Sequence, residues 1–240
     1  FLLMLSKTKL RPTREDRRLD REILSETFTI GLPALGTTFV SCFGYIAFAR
    51  MVSGMGTTIF AAHSIAITAE QIVYIPGYGL RVATSTLVGN ALGEKDIRKL
   101  KATERVSILI TLLIMVVNGI GLYLFAYPFM RLFTNSVNAA RIGSEMLRLV
   151  SFSEPFFGLM IVLEGISYGM GRTKHVFACE AVSMWGIRIF GTFLCVNVFG
   201  LGLKAVWLCM IADNICKAIL LYIFRPKHVE ENADDRGELR

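Results

Sequence analysis

Residues 106–127 read VSILITLLIMVVNGIGLYLFAY, a stretch of 22 residues without a single Asp, Glu, Lys or Arg. Crossing the hydrocarbon layer of a bilayer, about 30 Å thick, takes roughly 20 residues of helix. Helices in soluble cores seldom carry an unbroken apolar run of that length. This stretch therefore predicts a helix that spans a membrane.

Five further apolar runs lie on either side of this one. The six runs, separated by short polar connections, are residues 24–50, 59–88, 104–127, 144–170, 176–198 and 203–224. A bilayer core offers no water to backbone amides, so each run should be helical, with kinks at Pro33, Pro76 and Pro155. We therefore expect an all-α membrane protein, a bundle of six transmembrane helices.

The composition of the 240-residue chain agrees with insertion into lipid. Hydrophobic residues make up 53% of it, charged residues 19%, and the mean hydropathy is +0.53. One soluble core of this size could not bury so much apolar surface.

Lys and Arg are unevenly distributed between the runs, and cytoplasmic connections are the ones that retain them. Alternate connections are basic, with seven bases in Lys7–Arg21, five in Lys95–Arg105, then Arg172 with Lys174, and Arg225 with Lys227. We expect this side to be cytoplasmic, so both chain ends face the cytoplasm from the plasma (inner) membrane. The net charge of +7 is then explained by the basic cytoplasmic connections, and we expect no nucleic-acid partner.

The chain also divides into segments. Residues 1–5 read FLLML, an apolar stub that looks like the end of a preceding helix, and a highly charged segment follows it. We expect residues 1–22 to be that helix end with a cytoplasmic linker, residues 23–224 to be one six-helix lobe, and residues 225–240 to be a cytoplasmic tail. The chain would then be a fragment that lacks an N-terminal lobe.

Ionisable residues inside the runs are the candidates for function, because a charge at mid-bilayer costs at least about 2.5 kcal/mol unless a partner or a water-filled cavity receives it. Counting 1.5 Å per residue places Glu70, Arg188 and Asp213 roughly 15 to 20 Å deep, near the midplane. Asp213 and Lys217 have the i, i+4 spacing of a direct ion pair. Nearer the ends of their helices lie Glu154, Glu164 and Glu180.

Two interpretations of these charges stay open. Arg188, Asp213 and Lys217 could lock two helices together, or they could act as a relay. Glu70 has no evident basic partner at its depth except Arg188, so it is a candidate for a carboxylate that takes up and releases a proton. Glu164 precedes two glycines whose spacing permits close helix contact, at positions 165 and 169.

Nothing in the sequence is typical of covalent or metal chemistry. The five cysteines lie in the apolar runs without CxxC or Cys/His spacing, and no HExxH or His/Ser/Asp arrangement occurs. We therefore expect no enzyme, no catalytic residue, no metal site and no cofactor.

The chain resembles MATE (multidrug and toxic compound extrusion) transporters over about residues 1–224. The stretches that carry the resemblance are GLPA at 31–34, AAH at 61–63 and LVGNALG at 87–93, similar to helices seven and eight of the family, the glycine-rich 165–174, similar to the end of helix ten, and MWGIR at 184–188, similar to helix eleven.

The resemblance implies a twelve-helix protein of two six-helix lobes that open alternately, with this chain as the C-terminal lobe. It implies secondary active efflux of cationic or amphipathic drugs against an inward proton or sodium gradient. The implied partners are the missing N-terminal lobe, the small-molecule substrate, the ion and the lipid bilayer. The sodium-coupled branch has acids where this chain has Ser41 and Phe157, so we favour a DinF-like, proton-coupled member that uses Glu70 and Glu164 or an acid in the missing lobe.

In the mechanism that we expect, protonation of a buried carboxylate lets a kinked helix repack and changes the affinity for a cationic drug. The substrate and ion pathway would contain Glu70, Tyr74, Glu164, Arg188 and Asp213. An apolar cavity wall that offers cation–π contacts would contain Phe39, Phe43, Phe157 and Met160, although such residues commonly face lipid or neighbouring helices instead.

Two alternatives remain. A flippase of the same superfamily would move a lipid-linked oligosaccharide and would want a more cationic cavity, and a drug-susceptibility assay separates the two. A truncated membrane module without transport activity is the other alternative, and co-expression with the missing half tests it.

Overall fold

A computed structural model describes residues 21–224, so the expected linker and tail lie almost entirely outside the described residues. No strand occurs in this range, and its helices are α1 (Arg21–Ser53), α2 (Thr57–Gly93), α3 (Ile97–Phe133), α4 (Val137–Ser151), α5 (Glu154–Gly169), α6 (Thr173–Val198) and α7 (Leu203–Ile223).

The helices have the lengths of membrane spans. Five of them are individually long and apolar enough to cross a bilayer, and α4 with α5 makes a sixth span when the pair is counted as one. Connections of three or four residues turn the chain back between spans. The expected all-α bundle of membrane-spanning helices is confirmed.

The fourth span is broken, whereas the sequence predicted one helix over residues 144–170 with a kink at Pro155. The axes of α4 and α5 differ by 61°, and the break falls at residues 152–153. The hydroxyls of Ser151 and Ser153 donate to carbonyls of the last turn of α4, at 2.7 and 2.8 Å. Pro155 lies in the first turn of α5, where no backbone N–H is needed. The proline therefore begins a new helix instead of bending a continuous one.

Two apolar clusters form the core, and polar residues separate them along α7. Trp207 and Met210 belong to the first cluster, and Ala218 belongs to the second. Asp213 and Lys217 lie between these residues on the same helix, and both are buried. The ionisable groups thus occupy a layer in the middle of the bundle.

Small residues bring α2 and α5 into direct backbone contact. A Cβ atom on Gly165 would lie 2.7 Å from the carbonyl oxygen of Arg81, and one on Gly169 would lie 2.6 Å from that of Ser85. Real Cβ atoms do not approach backbone oxygens so closely, so the two glycines permit this packing. The close helix contact predicted from their spacing is confirmed.

We predict that Gly165→Ala lowers stability, because the added methyl group forces α2 and α5 apart. The expected cost is about 1–3 kcal/mol. Gly79→Ala is the matched control, since a Cβ there meets no atom within 4 Å, and it should be neutral or slightly stabilising. Thermal unfolding of the detergent-solubilised protein measures both variants, and equal midpoints would contradict the packing described here.

Candidate functional site

Glu70 is buried on α2 beside an aromatic pair. The residue is 2% exposed, and the hydroxyl of Tyr74 donates to its Oε1 at 2.5 Å. The Tyr74 ring stacks on Phe157 of α5, with ring centroids 3.7 Å apart and planes 12° apart. The structure therefore brings together two residues predicted for the pathway and one predicted for the cavity wall.

The side chain of Arg188 extends from α6 toward α7 and α1. Its Nη2 lies 2.8 Å from Oδ2 of Asp213 and 3.3 Å from the side-chain oxygen of Asn214. The guanidinium carbon lies 5.4 Å from the ring centroid of Tyr45 and 5.8 Å from that of Phe48. A counter-ion, an amide oxygen and two aromatic rings thus replace water around a side chain that is only 4% exposed.

The backbone of α6 is irregular where it carries Arg188. Residues Met184–Ile189 form a π-helical turn, and Leu194–Val198 form a second one. Ser183, just before the first turn, donates its hydroxyl to the carboxylate of Asp213. π-helical turns are rare in proteins, and those that do occur are often found at functional sites. The MWGIR stretch found in the sequence is this first π-helical turn.

Lys217 pairs across to α6. Its Nζ lies 2.5 Å from Oε2 of Glu180, and the other carboxylate oxygen of Glu180 accepts a hydrogen bond from Ser41 of α1. The sequence predicted an ion pair between Lys217 and Asp213 from their spacing, and this was wrong. Asp213 faces Arg188 instead, so the two bases of this layer have different acids as partners.

Glu164 pairs with a residue that the sequence reasoning missed. Nη1 of Arg81 on α2 lies 3.1 Å from Oε2 of Glu164, and the guanidinium carbon of Arg81 lies 5.3 Å from the ring centroid of Tyr78. Arg81 is 12 residues from the Gly93 end of α2, about 18 Å along the helix. Its position inside the apolar run 59–88, seven residues from the end, was the signal that could have identified it.

Glu154 was predicted from the sequence to lie nearer a helix end and was left out of the predicted pathway. It is fully buried, and neither carboxylate oxygen has a hydrogen-bond partner among residues 21–224. Its Cβ would lie 3.2 Å from a Cβ built on Gly119, near the middle of α3. The helix break places Glu154 in the first turn of α5, beside Gly119 of α3. It interacts electrostatically with Glu70.

These acids fall into two groups. Three of them each have a base within 3.1 Å, in the pairs Arg81–Glu164, Lys217–Glu180 and Arg188–Asp213. Glu70 and Glu154 form no ion pair in the part of the chain that the structure describes. Nor do those residues contain a group of three or more His, Cys, Asp or Glu side chains placed to hold a metal ion.

The predicted cavity wall is not one surface. Phe157 and Met160 are buried in the second apolar cluster, at 4% and 5% exposure. Phe39 and Phe43 are 61% and 60% exposed on α1. Of these four, Phe157 is the one that stacks on Tyr74, the residue that donates to Glu70.

Comparisons with known proteins agree with this architecture. Residues 33–194, more than half of the chain, match the model of the MatE family. The chain is 30% identical over 201 residues to the probable multidrug resistance protein NorM of Thermotoga maritima, with 83% of this chain and 43% of that protein covered. It is 28% identical over 228 residues to the corresponding protein of Photorhabdus laumondii, with 93% and 50% covered.

Solved structures show the same fold. A MOP superfamily transporter from Pyrococcus furiosus superposes with a TM-score of 0.85 at 21% identity, over 95% of this chain and 52% of that one. An outward-facing multidrug resistance transporter of the MATE family gives 0.84 at 21% identity, over 94% and 51%. The chain thus spans about half the length of the proteins it matches. It belongs to the MatE family.

Proposed function

We propose that this chain is the C-terminal lobe of a secondary active transporter that expels cationic or amphipathic drugs in exchange for an inward cation, with the proton favoured. One observation carries the proposal. Glu70 and Glu154 are buried acids that form no ion pair among the described residues, whereas Glu164, Glu180 and Asp213 each have a base within 3.1 Å.

The physical reason lies in the cost of buried charge. Two ionised carboxylates that interact in a water-poor interior repel each other, and each also loses its hydration. At least one of them must be neutralised, either by a proton or by a cationic ligand. A proton and a drug cation then compete for the same negative charge, and this competition is what antiport requires.

The break between α4 and α5 supports a coupling of protonation to shape. Glu154 lies in the first turn of α5, where the partial positive charge of the helix N-terminus stabilises a carboxylate. Protonation removes that stabilisation and favours a different packing of the two half-helices. Discontinuous helices near the membrane midplane form the substrate and ion sites of many secondary transporters.

The partners in this proposal are a second six-helix lobe, the drug, the proton and the plasma membrane, with both chain ends cytoplasmic. Two facts support the second lobe, namely the half-length match to relatives and the similarity to transporters of about twice this length. The relatives reported above are NorM proteins, so membership of a DinF-like branch stays a prediction. No observation favours the flippase alternative.

We expect Glu70→Gln to abolish drug resistance in cells that this protein makes resistant, because the amide cannot exchange a proton or attract a cation. Glu94→Gln is the control, since Glu94 is 53% exposed in a surface pair with Lys99. Minimum inhibitory concentrations of ethidium measure the effect, with membrane content checked by immunoblot. Unchanged resistance in the Glu70 variant would remove it from the mechanism.

A second variant tests the coupling ion. Glu154→Gln should slow ethidium efflux from preloaded cells about tenfold and flatten its dependence on external pH, because the pair then has one exchangeable proton fewer. Glu145→Gln, in an exposed pair with Lys204, should leave rate and profile unchanged. Efflux by the unaltered protein should persist without sodium and stop with a protonophore. Sodium-dependent efflux with an unchanged pH profile would contradict proton coupling.

A further inference from the structure

One side of α3 changes from basic to apolar along its length. Arg98 and Arg105 are exposed and seven residues apart, so they lie on one helical face, about 10 Å from each other along the axis. Lys101, also exposed, lies between them, and we call these three residues the basic patch. The same face then continues without charge through Leu109 at 59% and Val116 at 40% exposure. A basic patch and an apolar strip therefore share one side of one helix.

The basic patch lies at the depth of lipid headgroups. Arg105 directly precedes the uncharged stretch of residues 106–127, whose 22 residues of helix are about 33 Å long and match the hydrocarbon layer. Long basic side chains at such a boundary extend to the membrane surface. The exposed apolar residues that follow Arg105 suit the acyl chains of the same leaflet.

The acids described near the basic patch make other contacts or are buried. Glu94 lies 2.6 Å from a lysine outside the patch, and the side chain of Asp96 caps the start of α3. Glu104 is only 6% exposed. Arg98 and Arg105 form no ion pair with any residue in the range 21–224. The two arginines can therefore receive an anion from outside the chain.

An apolar groove lies farther along the same side of α3. Its volume is about 290 Å³, and its walls include Val116, Ile120 and Tyr123 of α3 together with Ser151, Phe152 and Pro155 at the break between α4 and α5. Ile120 and Tyr123 are 15 and 18 residues beyond Arg105, close to whole numbers of helical turns, so the groove is in line with the basic patch. Walls of this kind offer few hydrogen-bond partners to water and suit hydrocarbon.

The distance between patch and groove fits one phospholipid molecule. Val116, the near wall of the groove, is 11 residues beyond Arg105, which is about 17 Å along the helix. The acyl chains of one leaflet span half of the hydrocarbon layer, about 15 Å. A lipid whose headgroup lies at Arg105 therefore brings the ends of its chains to the groove.

We propose that this side of α3 is a binding site for an anionic phospholipid, with the phosphate on Arg98 and Arg105 and the end of one acyl chain in the groove. The arginines donate N–H groups to the phosphate oxygens. The chain end supplies the dispersion contacts that the walls of an empty groove lack. Because the groove touches both α4 and α5, a bound chain braces the break between them.

The test is lipid binding to the purified protein in detergent, measured by native mass spectrometry. Dioleoyl phosphatidylglycerol is anionic and should bind about fivefold or more tightly than dioleoyl phosphatidylcholine, which has the same chains and no net charge. Dihexanoyl phosphatidylglycerol has chains too short to reach the groove, so it should bind about tenfold more weakly than the dioleoyl form. Inorganic phosphate should displace neither lipid, which distinguishes a lipid site from a site for free phosphate.

The headgroup contacts are tested by replacing both arginines. Arg98→Gln with Arg105→Gln should weaken binding of dioleoyl phosphatidylglycerol about tenfold or more and change that of the phosphatidylcholine less than about twofold. Arg98→Lys with Arg105→Lys keeps the charge and should retain most of the binding. Lys99→Gln is the control, because Lys99 is an exposed base at the same end of α3 that pairs with Glu94. It should change binding of neither lipid, and thermal midpoints without added lipid check that all variants are folded.

The chain contact is tested by filling the groove. Ile120→Trp adds a large side chain at a position that is 57% exposed, so it should be tolerated by the fold. It should weaken binding of dioleoyl phosphatidylglycerol about fivefold and leave that of the dihexanoyl form unchanged. Leu132→Trp is the control, at 78% exposure near the far end of α3 and outside the groove, and it should alter neither.

Three results would each overturn the site. These are equal binding of the two dioleoyl lipids, a loss in the double Gln variant no larger than in Lys99→Gln, and full binding by Ile120→Trp. The proposal goes beyond drug efflux and does not depend on it. A protein that passes these tests but expels no drug keeps the lipid site, and one that expels drug but fails them has none.

Discussion

A charge in the hydrocarbon layer has no water to solvate it, and this constraint decides how the helices of this lobe are arranged. Arg188 with Asp213 joins α6 to α7, and Arg81 with Glu164 joins α2 to α5. Removing one partner of a buried pair typically costs 3–5 kcal/mol. Apolar contacts alone would tolerate small rotations and shifts between helices, whereas these pairs are satisfied at one rotation and one depth. They set the register of the bundle.

Glu70 and Glu154 differ from the acids in these pairs, because they form no ion pair within residues 21–224. Glu70 keeps a hydrogen bond from Tyr74, and Glu154 keeps none among the described residues. A fold optimised only for stability would replace such groups with apolar residues of similar size. Glu70 lies beside the stacked rings of Tyr74 and Phe157, and Glu154 directly follows the break before α5.

The spans could be predicted from the sequence, because hydropathy depends only on residues that follow one another. The partners in the ion pairs could not be predicted in this way, because they depend on the rotation and depth of two separate helices. Lys217 therefore pairs across to Glu180, although Asp213 lies one turn away on its own helix. The break was missed because Pro155 suits a mid-helix kink as well as a helix start. Glu154 was left out of the predicted pathway, while Glu70 was found because it lies near the middle of a continuous apolar run.

The π-helical turns of α6 have a consequence for comparing relatives. A π turn contains more residues than an α turn, so every side chain after Met184–Ile189 points in a different direction from the one that a helical wheel would assign. Gain or loss of a single residue in this part of a relative would leave the hydropathy profile unchanged. It would nevertheless rotate the rest of the helix and offer α7 a new set of side chains. In this family, a one-residue gap within a span can therefore mark a change of specificity instead of an alignment error.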